Sequence, residues 1–276
     1  MLLRLFRFAC LLGWQTIVFA TTCNLSNPPS VPEEQVYAGL PYAAGERSEY
    51  AVSFMGVPAG TAALEVQPPA LREGRWLRVY KADAQTGKWY RAIFVGHDSI
   101  LAYGFQNSGS YLVIDQDEGR LIGPRTRKHT EIQFENEKCQ ISGHITESGN
   151  TTQFEPAEIS SYVLDSVSAT FRLRTLEYPP QTVVQLPVYS SKKSWKLEVE
   201  AAGREVIEVP AGLFDCVKLR LRTFLGGALQ QKGDLYIWLA TDRPERPLVK
   251  MNAEAKIGSL VLVLTKFEPG KKATGH

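Results

Sequence analysis

Histidine, cysteine and carboxylate side chains are the natural places to look for chemistry, and in this sequence they are thinly spread. There are four histidines, His97, His129, His144 and His276, and none stands in an HExxH pattern or beside a second ligand at helical spacing. Gly96-His97-Asp98-Ser99 sets a base, an acid and a hydroxyl in a row. Neighbours on a strand point to opposite faces, so this adjacency argues against a working triad and for a turn. Asp165, followed one to two helical turns later by Arg172 and Arg174, reads as a buried ionic site or, more commonly, as an ordinary salt bridge. Asp242-Arg243-Pro244 has the look of an acid beside a base but fits a turn better. No nucleophile elbow, phosphate loop or dinucleotide fingerprint occurs. Without a CxxC or a Cys/His cluster, no metal and no cofactor is expected, and no catalytic residue is assigned.

Cysteine usage is equally sparse. Once Cys10 leaves with the N-terminal segment described below, Cys23, Cys139 and Cys216 remain, an odd number. Cys139–Cys216 is the candidate internal disulfide in an oxidising compartment, although two small buried apolar residues would look the same.

The aromatic residues are more suggestive. Trp76, Tyr80, Trp89, Tyr90 and Phe94 lie on consecutive strand-like runs, and Tyr236 and Trp238 share one face of a later run. With Phe171 and Arg174, a set made of Trp76, Tyr80, Trp89, Phe94 and Trp238 is the candidate lining of a cavity for an apolar ligand. Core packing and cross-strand pairing explain the same residues without a ligand.

These side chains need elements to position them. Residues 1–20 carry Arg4 and Arg7, then an apolar run from Phe8 to Ala20, with Val18 and Ala20 at the spacing a signal peptidase reads. That run is too short to span a bilayer, so a cleaved signal is expected, with the mature chain starting at Thr21. A lipid anchor through Cys23 is the alternative, but Ala20 and Thr22 fit a lipobox poorly. Residues 21–46, rich in Pro, Ser and Asn, read as an extended leader, and 269–276 as a flexible tail.

Between them period two dominates. Tyr50, Val52 and Phe54 alternate with small residues, and Trp76–Lys81 and Trp89–Val95 form the arms of a hairpin. Val217, Leu219 and Leu221 face one way while Lys218, Arg220 and Arg222 face the other. Ile257–Leu264 is apolar on both faces, the pattern of a central strand. One segment differs: from about 157 to 176, Ile159, Val163, Val167 and Phe171 recur at helical spacing and Pro179-Pro180 ends the run. Residues 47–268 therefore read as a single β-rich α+β domain, a curved antiparallel sheet or incomplete β-barrel with one central helix.

Four stretches carry a resemblance. Tyr50–Leu64 (YAVSFMGVPAGTAAL), Asp165–Arg174 (DSVSATFRLR), Val209–Leu219 (VPAGLFDCVKL) and Leu235–Leu264 resemble, in order and spacing, the bacterial envelope family known as domain of unknown function 3108. The most specific pieces are the helix ending in Leu-Arg and the run Trp238, Thr241-Asp242, Arg246-Pro247 and Ile257-Gly258-Ser259. Thr170 and Arg172 stand where the family pattern expects larger apolar residues. The resemblance implies one exported β-rich domain and assigns no reaction.

Charge excludes some partners. Of 31 Lys and Arg, two (Arg4 and Arg7) lie in the expected signal segment 1–20, leaving 29 against 29 Asp and Glu, a balance that gives no electrostatic case for nucleic acid. No later segment is long and apolar enough for a membrane-spanning helix. The expectation is an exported, periplasmic, non-catalytic protein that binds a lipid-like or apolar ligand or an envelope protein. An envelope hydrolase assembled from distant strands and a purely structural scaffold are the alternatives.

Overall fold

Alternation of apolar and polar residues carries nearly the whole chain into one sheet. The computed structural model describes residues 30–87, 94–105, 108–120, 125–160, 162–190, 192–230, 233–254 and 258–271. The first eight strands are β1 (Arg47–Phe54), β2 (Val57–Arg72), β3 (Arg75–Thr86), β4 (Phe94–Phe105), β5 (Ser108–Arg120), β6 (Arg125–Glu135), β7 (Gln140–Glu147) and β8 (Asn150–Glu158). A two-residue strand β9 (Leu164–Asp165) leads into the helix α1 (Ser166–Arg174). Then come β10 (Val183–Ser190), β11 (Lys193–Val209), β12 (Gly212–Leu225), β13 (Ala228–Leu229), β14 (Leu235–Ala240), β15 (Leu248–Glu254) and β16 (Ser259–Glu268).

Strands β8 to β1 lie side by side in sequence order, and β1 is followed by β16, β15, β14, β12, β11, β10 and β9. Every pairing is antiparallel except β9 with β10, and β13 pairs only with β12. The doubly apolar β16 sits in the middle of this order, between β1 and β15, as its sequence required. On β12, Val217, Leu219 and Leu221 are buried while the intervening basic residues are half-buried on the other face.

The connectivity forces the sheet to bend. Fifteen strands laid flat at about 4.8 Å spacing would span roughly 65 Å. Yet β8 and β9, at opposite ends of the order, are joined by the chain from Glu158 to Leu164, which reaches at most about 20 Å. The β9 end accordingly comes back to β5, where the Val163 carbonyl accepts a hydrogen bond from the Gly109 N–H at 2.9 Å. A Cβ on Gly109 would stand 3.3 Å from that oxygen, so glycine permits the approach. Phe134 of β6 meets Tyr189 of β10 edge to face at 5.7 Å. Among the described residues no strand ladder closes the ring, and the result is an open, incomplete barrel with α1 inside the bend.

The helix is shorter than the expected 157–176. Ala157 and Glu158 complete the β7–β8 ladder, and the Ile159 N–H is bound to the Cys139 carbonyl at 2.9 Å. The start belongs to Asp165, whose carboxylate accepts from the Val167 and Ser168 N–H groups at 2.8 and 2.9 Å, satisfying donors a helix leaves unpaired at its first turn. Ile159, Val163, Val167 and Phe171 are all buried, but only the last two are helical. Their helix-like spacing arises from a strand end, a connection and a helix in succession.

Two further expectations are corrected. Val36, Tyr42 and Glu46 are buried, so the later part of 21–46 packs on the sheet and is not an extended leader. Tyr37 Oη donates to the Gln67 carbonyl at 2.9 Å and accepts from the Val79 N–H at 2.8 Å. Cys216 is a free, buried thiol, so the Cys139–Cys216 bridge is not formed. Cys216 sits within β12 and faces the core of the C-terminal half; Cys139 ends the β6–β7 turn in the other half. Burial, with a smaller push from nearby Asp242 and Asp215, raises the Cys216 thiol to about 12, which leaves it inert as a nucleophile.

Candidate functional site

Arg174 anchors the site region. Leu173 and Phe171 on α1 are buried, and at the helix end Arg174 follows them into the interior, only 3% exposed. Its guanidinium binds both oxygens of Glu46, itself 2% exposed, at 2.6 and 2.9 Å. Its remaining donors reach the carbonyls of Glu245 and Arg246 at 2.7 and 3.1 Å. A buried guanidinium needs this full set of acceptors, and here it ties α1 to the start of β1 and to the β14–β15 connection. Burial raises the Glu46 carboxyl, an effect that Arg174 opposes by charge and hydrogen bond.

Around this pair is an aromatic cluster. Tyr80 of β3 stacks on Phe171 with ring centroids 4.3 Å apart, and Tyr42 stands edge-on to both at 5.8 and 5.2 Å. Arg174 lies 5.0 Å from the Tyr42 ring centroid. The Tyr42 and Tyr80 hydroxyls hydrogen-bond each other at 3.0 Å. Burial raises both phenols above their usual range, so both remain neutral donors.

Beside the cluster, between α1, β3, β4, β5 and the Leu40–Tyr42 segment, lies a cavity of about 330 Å³. Leu40 and Leu164 supply apolar wall, and Tyr42, Tyr80, Ser108, Ser168 and Thr175 supply hydroxyls. Arg78 and Arg172 bring two cations to the same space. Arg78 Nε donates to the Val36 carbonyl at 2.9 Å, and Arg172 Nη1 donates to Thr175 Oγ1 at 2.9 Å. Among the described residues Arg172 has no carboxylate at salt-bridge distance. Such a lining can hold an anionic head group by charge-assisted hydrogen bonds and an adjoining carbon chain by contact. A second hollow, lined by Val52, Gly60 and Thr86 among others, measures about 20 Å³, room for about one water.

Of the residues anticipated from sequence, the structure brings together Tyr80, Phe171 and Arg174. Trp76 is half-buried on β3 and takes no part in the cavity wall. Trp238 is remote: strand alternation places it between Lys218 and Lys250, with its indole N–H on Glu205 at 2.9 Å. Both lysines lie over its ring, at 5.2 and 4.9 Å from the centroid. Trp89 and the side chain of Phe94 lie outside the described residues. Sequence reasoning missed Tyr42, Glu46, Arg78 and Ser108. Only Arg172 carried a signal, as a charge where the family pattern has an apolar residue.

The turn expected at Gly96-His97-Asp98-Ser99 is not formed, because all four residues lie within β4 and pair with β5; alternation still separates the side chains. His97 is exposed while Asp98, its neighbour, is buried on the other face. His129 holds two carboxylates, Asp115 and Glu131, at 2.6 and 3.0 Å.

The sequence profile of the family described as protein of unknown function DUF3108 matches residues 49–265. The chain belongs to that family. The resemblance read from four stretches therefore extends over nearly the whole sheet, from β1 to β16, as a DUF3108 domain. No protein of curated function matches it. Among solved structures, a β-barrel-like protein from Brucella abortus, with a different domain of unknown function, DUF1849, covers 83% of this chain. The match includes 98% of that protein, at 7% identity and a TM-score of 0.52, a likeness of fold alone. A candidate exported protein with a YmcC-like fold from Bacteroides fragilis covers 83% of this chain and 98% of its own, at 11% identity and a TM-score of 0.36. A candidate lipoprotein from Parabacteroides distasonis covers 83% of this chain and 97% of its own, at 14% identity and a TM-score of 0.32. Among the described residues of the DUF3108 domain, no helix is long and apolar enough to cross a membrane.

Proposed function

We propose that this DUF3108 domain is a non-catalytic binding protein of the cell envelope, and that its cavity takes an amphipathic ligand with an anionic head. The observation that carries this reading is the lining of the roughly 330 Å³ cavity: two guanidiniums and two neutral phenols over Leu40 and Leu164. That volume is at the low end of small-molecule sites, enough for a head group and the first part of a chain. Export is supported by the arginine-flanked apolar leader and its Val18-Phe19-Ala20 end. Of the seven aromatic and basic residues that the sequence offers as cavity lining, Tyr80 lines this cavity, with Phe171 stacked behind it.

The ligand is tested with a defined probe. Titrating the mature chain with a fluorescent fatty acid should give saturable binding at one probe per chain, displaced by unlabelled fatty acid or lysophospholipid. Which competitor displaces better identifies the head, carboxylate or phosphodiester. Binding that does not saturate, or that an uncharged alcohol of equal chain length matches, overturns the reading.

A further inference from the structure

We propose that the outer face of the barrel carries a binding site for a divalent transition ion of the zinc type, formed by His129, Glu131 and His144. The site lies on the face opposite the cavity and is independent of the ligand proposed there. Strand register creates it. Glu131 of β6 pairs directly with His144 of β7, and His129, two residues before Glu131, projects from the same face. Asp115 of β5 pairs with His129 on that face.

The ligand atoms of His129, Glu131 and His144 all lie within 4.8 Å of one another. His129 Nε2 stands 3.0 Å from Glu131 Oε1, and His144 Nε2 stands 3.9 Å from Glu131 Oε2. A tetrahedral zinc with bonds of about 2.0–2.1 Å sets its ligand atoms roughly 3.4 Å apart, so small side-chain rotations complete the geometry. All three side chains are about one-third exposed, which lets an ion enter from solvent and leaves a coordination position for water or an external ligand.

The neighbouring bonds fit the same assignment. A histidine that ligates a metal through one nitrogen usually donates the other N–H to a carboxylate, which fixes the ring and raises its basicity. His129 has this arrangement, with Nδ1 2.6 Å from Asp115 Oδ1 and Nε2 turned toward Glu131. Tyr111 Oη donates to Glu131 and orients the carboxylate. An ordinary surface ion pair requires neither the second histidine nor the outer carboxylate. Nitrogen and carboxylate ligands together suit zinc, copper, nickel or iron(II) better than calcium or magnesium.

The test uses the tag-free mature chain, stripped with chelator and titrated with Zn²⁺ by calorimetry, with thermal melts in parallel. One ion per chain should bind and raise the melting temperature, and Co²⁺ in its place should give visible d–d absorption. His129→Ala and His144→Ala should each weaken Zn²⁺ binding by at least about 10-fold, and Asp115→Asn by about 10-fold through the outer position. His97→Ala, a histidine on the same face outside the cluster, should leave binding unchanged. Metal-free melts check folding, and His144→Gln serves if the alanine variant unfolds. Absence of binding, or equal binding by wild type and the His129→Ala/His144→Ala variant, overturns the site.

Discussion

The two halves of the sheet solve the same packing problem with different side chains, and the cavity of about 330 Å³ lies in one of them. On β12 to β16 the inner face is aliphatic: Leu219, Leu239, Leu260 and Leu264 are all at most 1% exposed. Branched chains interdigitate and fill space without needing partners for polar atoms. On β3 to β6 and β10 the inner face carries Tyr80, Phe134 and Tyr189, joined by Tyr42 and Phe171. The Tyr42 and Tyr80 hydroxyls hold each other at 3.0 Å, so these two rings cannot slide to fill the nearest gap without breaking that bond. The cavity lies in this half. Helix α1 serves both, with Ala169 and Leu173 in the aliphatic cluster and Val167 and Phe171 in the aromatic one. The cavity thus borders hydroxyls and guanidiniums, whereas β12 to β16 bury mainly branched aliphatic chains.

The sharpest way to break this contrast is at the buried ion pair that holds the helix between the halves. Arg174→Ala or Glu46→Ala strands a buried charge and should cost about 3–5 kcal/mol in urea melts. The double variant should cost clearly less than the sum of the two, because the strand-alone penalty then disappears. Additive losses would mean that the pair is not coupled.

Truncations compare the halves directly. Phe171→Ala should cost on the order of 3–5 kcal/mol, a core value that excludes a loosely seated lid. Leu219→Ala should cost about 2–5 kcal/mol and open a new void in the aliphatic half. Xenon or benzene should enter the Leu219→Ala void, which is wholly apolar, and crystallography would show it. Equal uptake by the native aromatic half would erase the distinction drawn here.

Arg172→Gln isolates binding from packing. The side chain is half-buried with Thr175 as its partner, so stability should change by less than about 1 kcal/mol. Affinity for an anionic amphiphile should fall about tenfold, the usual worth of a hydrogen bond to a charged group. Unchanged affinity in fluorescence titration would move the head group away from Arg172.

The smallest effect is on the pH profile. Burial raises the Asp165 carboxyl above its ordinary value, so the folded chain holds that proton more tightly than the unfolded one. Its contribution is full below the unfolded value of about 4 and is lost as pH rises through the folded value. Asp165→Asn keeps a capping oxygen and should flatten the fall in stability from about pH 4 toward neutrality, measured by urea melts at stepped pH. Glu205 and Asp117, whose carboxyls are lowered by hydrogen-bonded Lys218 and Arg125, act oppositely and on the acid side. A profile unaltered by the substitution would show that Asp165 takes up its proton equally in the folded and unfolded chain.

Much of the fold could be read in advance because strand alternation is local. Val217, Leu219 and Leu221 announce a core face whatever they pair with, and the doubly apolar β16 announces a centre. The helix was legible in existence but not in extent. Ile159 and Val163 mimic its spacing, and the true boundary is one capping carboxylate, Asp165. Trp238 lies away from the cavity because its register sets it beside Lys218 and Lys250, and an aromatic ring by itself does not say which face of a strand lines a cavity.

By itself, then, the amino-acid sequence determined the elements, the face each side chain takes, and the family, all properties set by neighbours a few residues away. The tertiary structure alone decided which faces meet. Leu40, Arg78, Ser108 and Arg172 surround one cavity although long stretches of chain separate them, because the sheet bends until β9 reaches β5. His129 and His144 share Glu131 only because the turn between β6 and β7 sets that register. A shift of one residue would send His144 to the opposite face, and nothing in the local pattern of either strand specifies which register is taken.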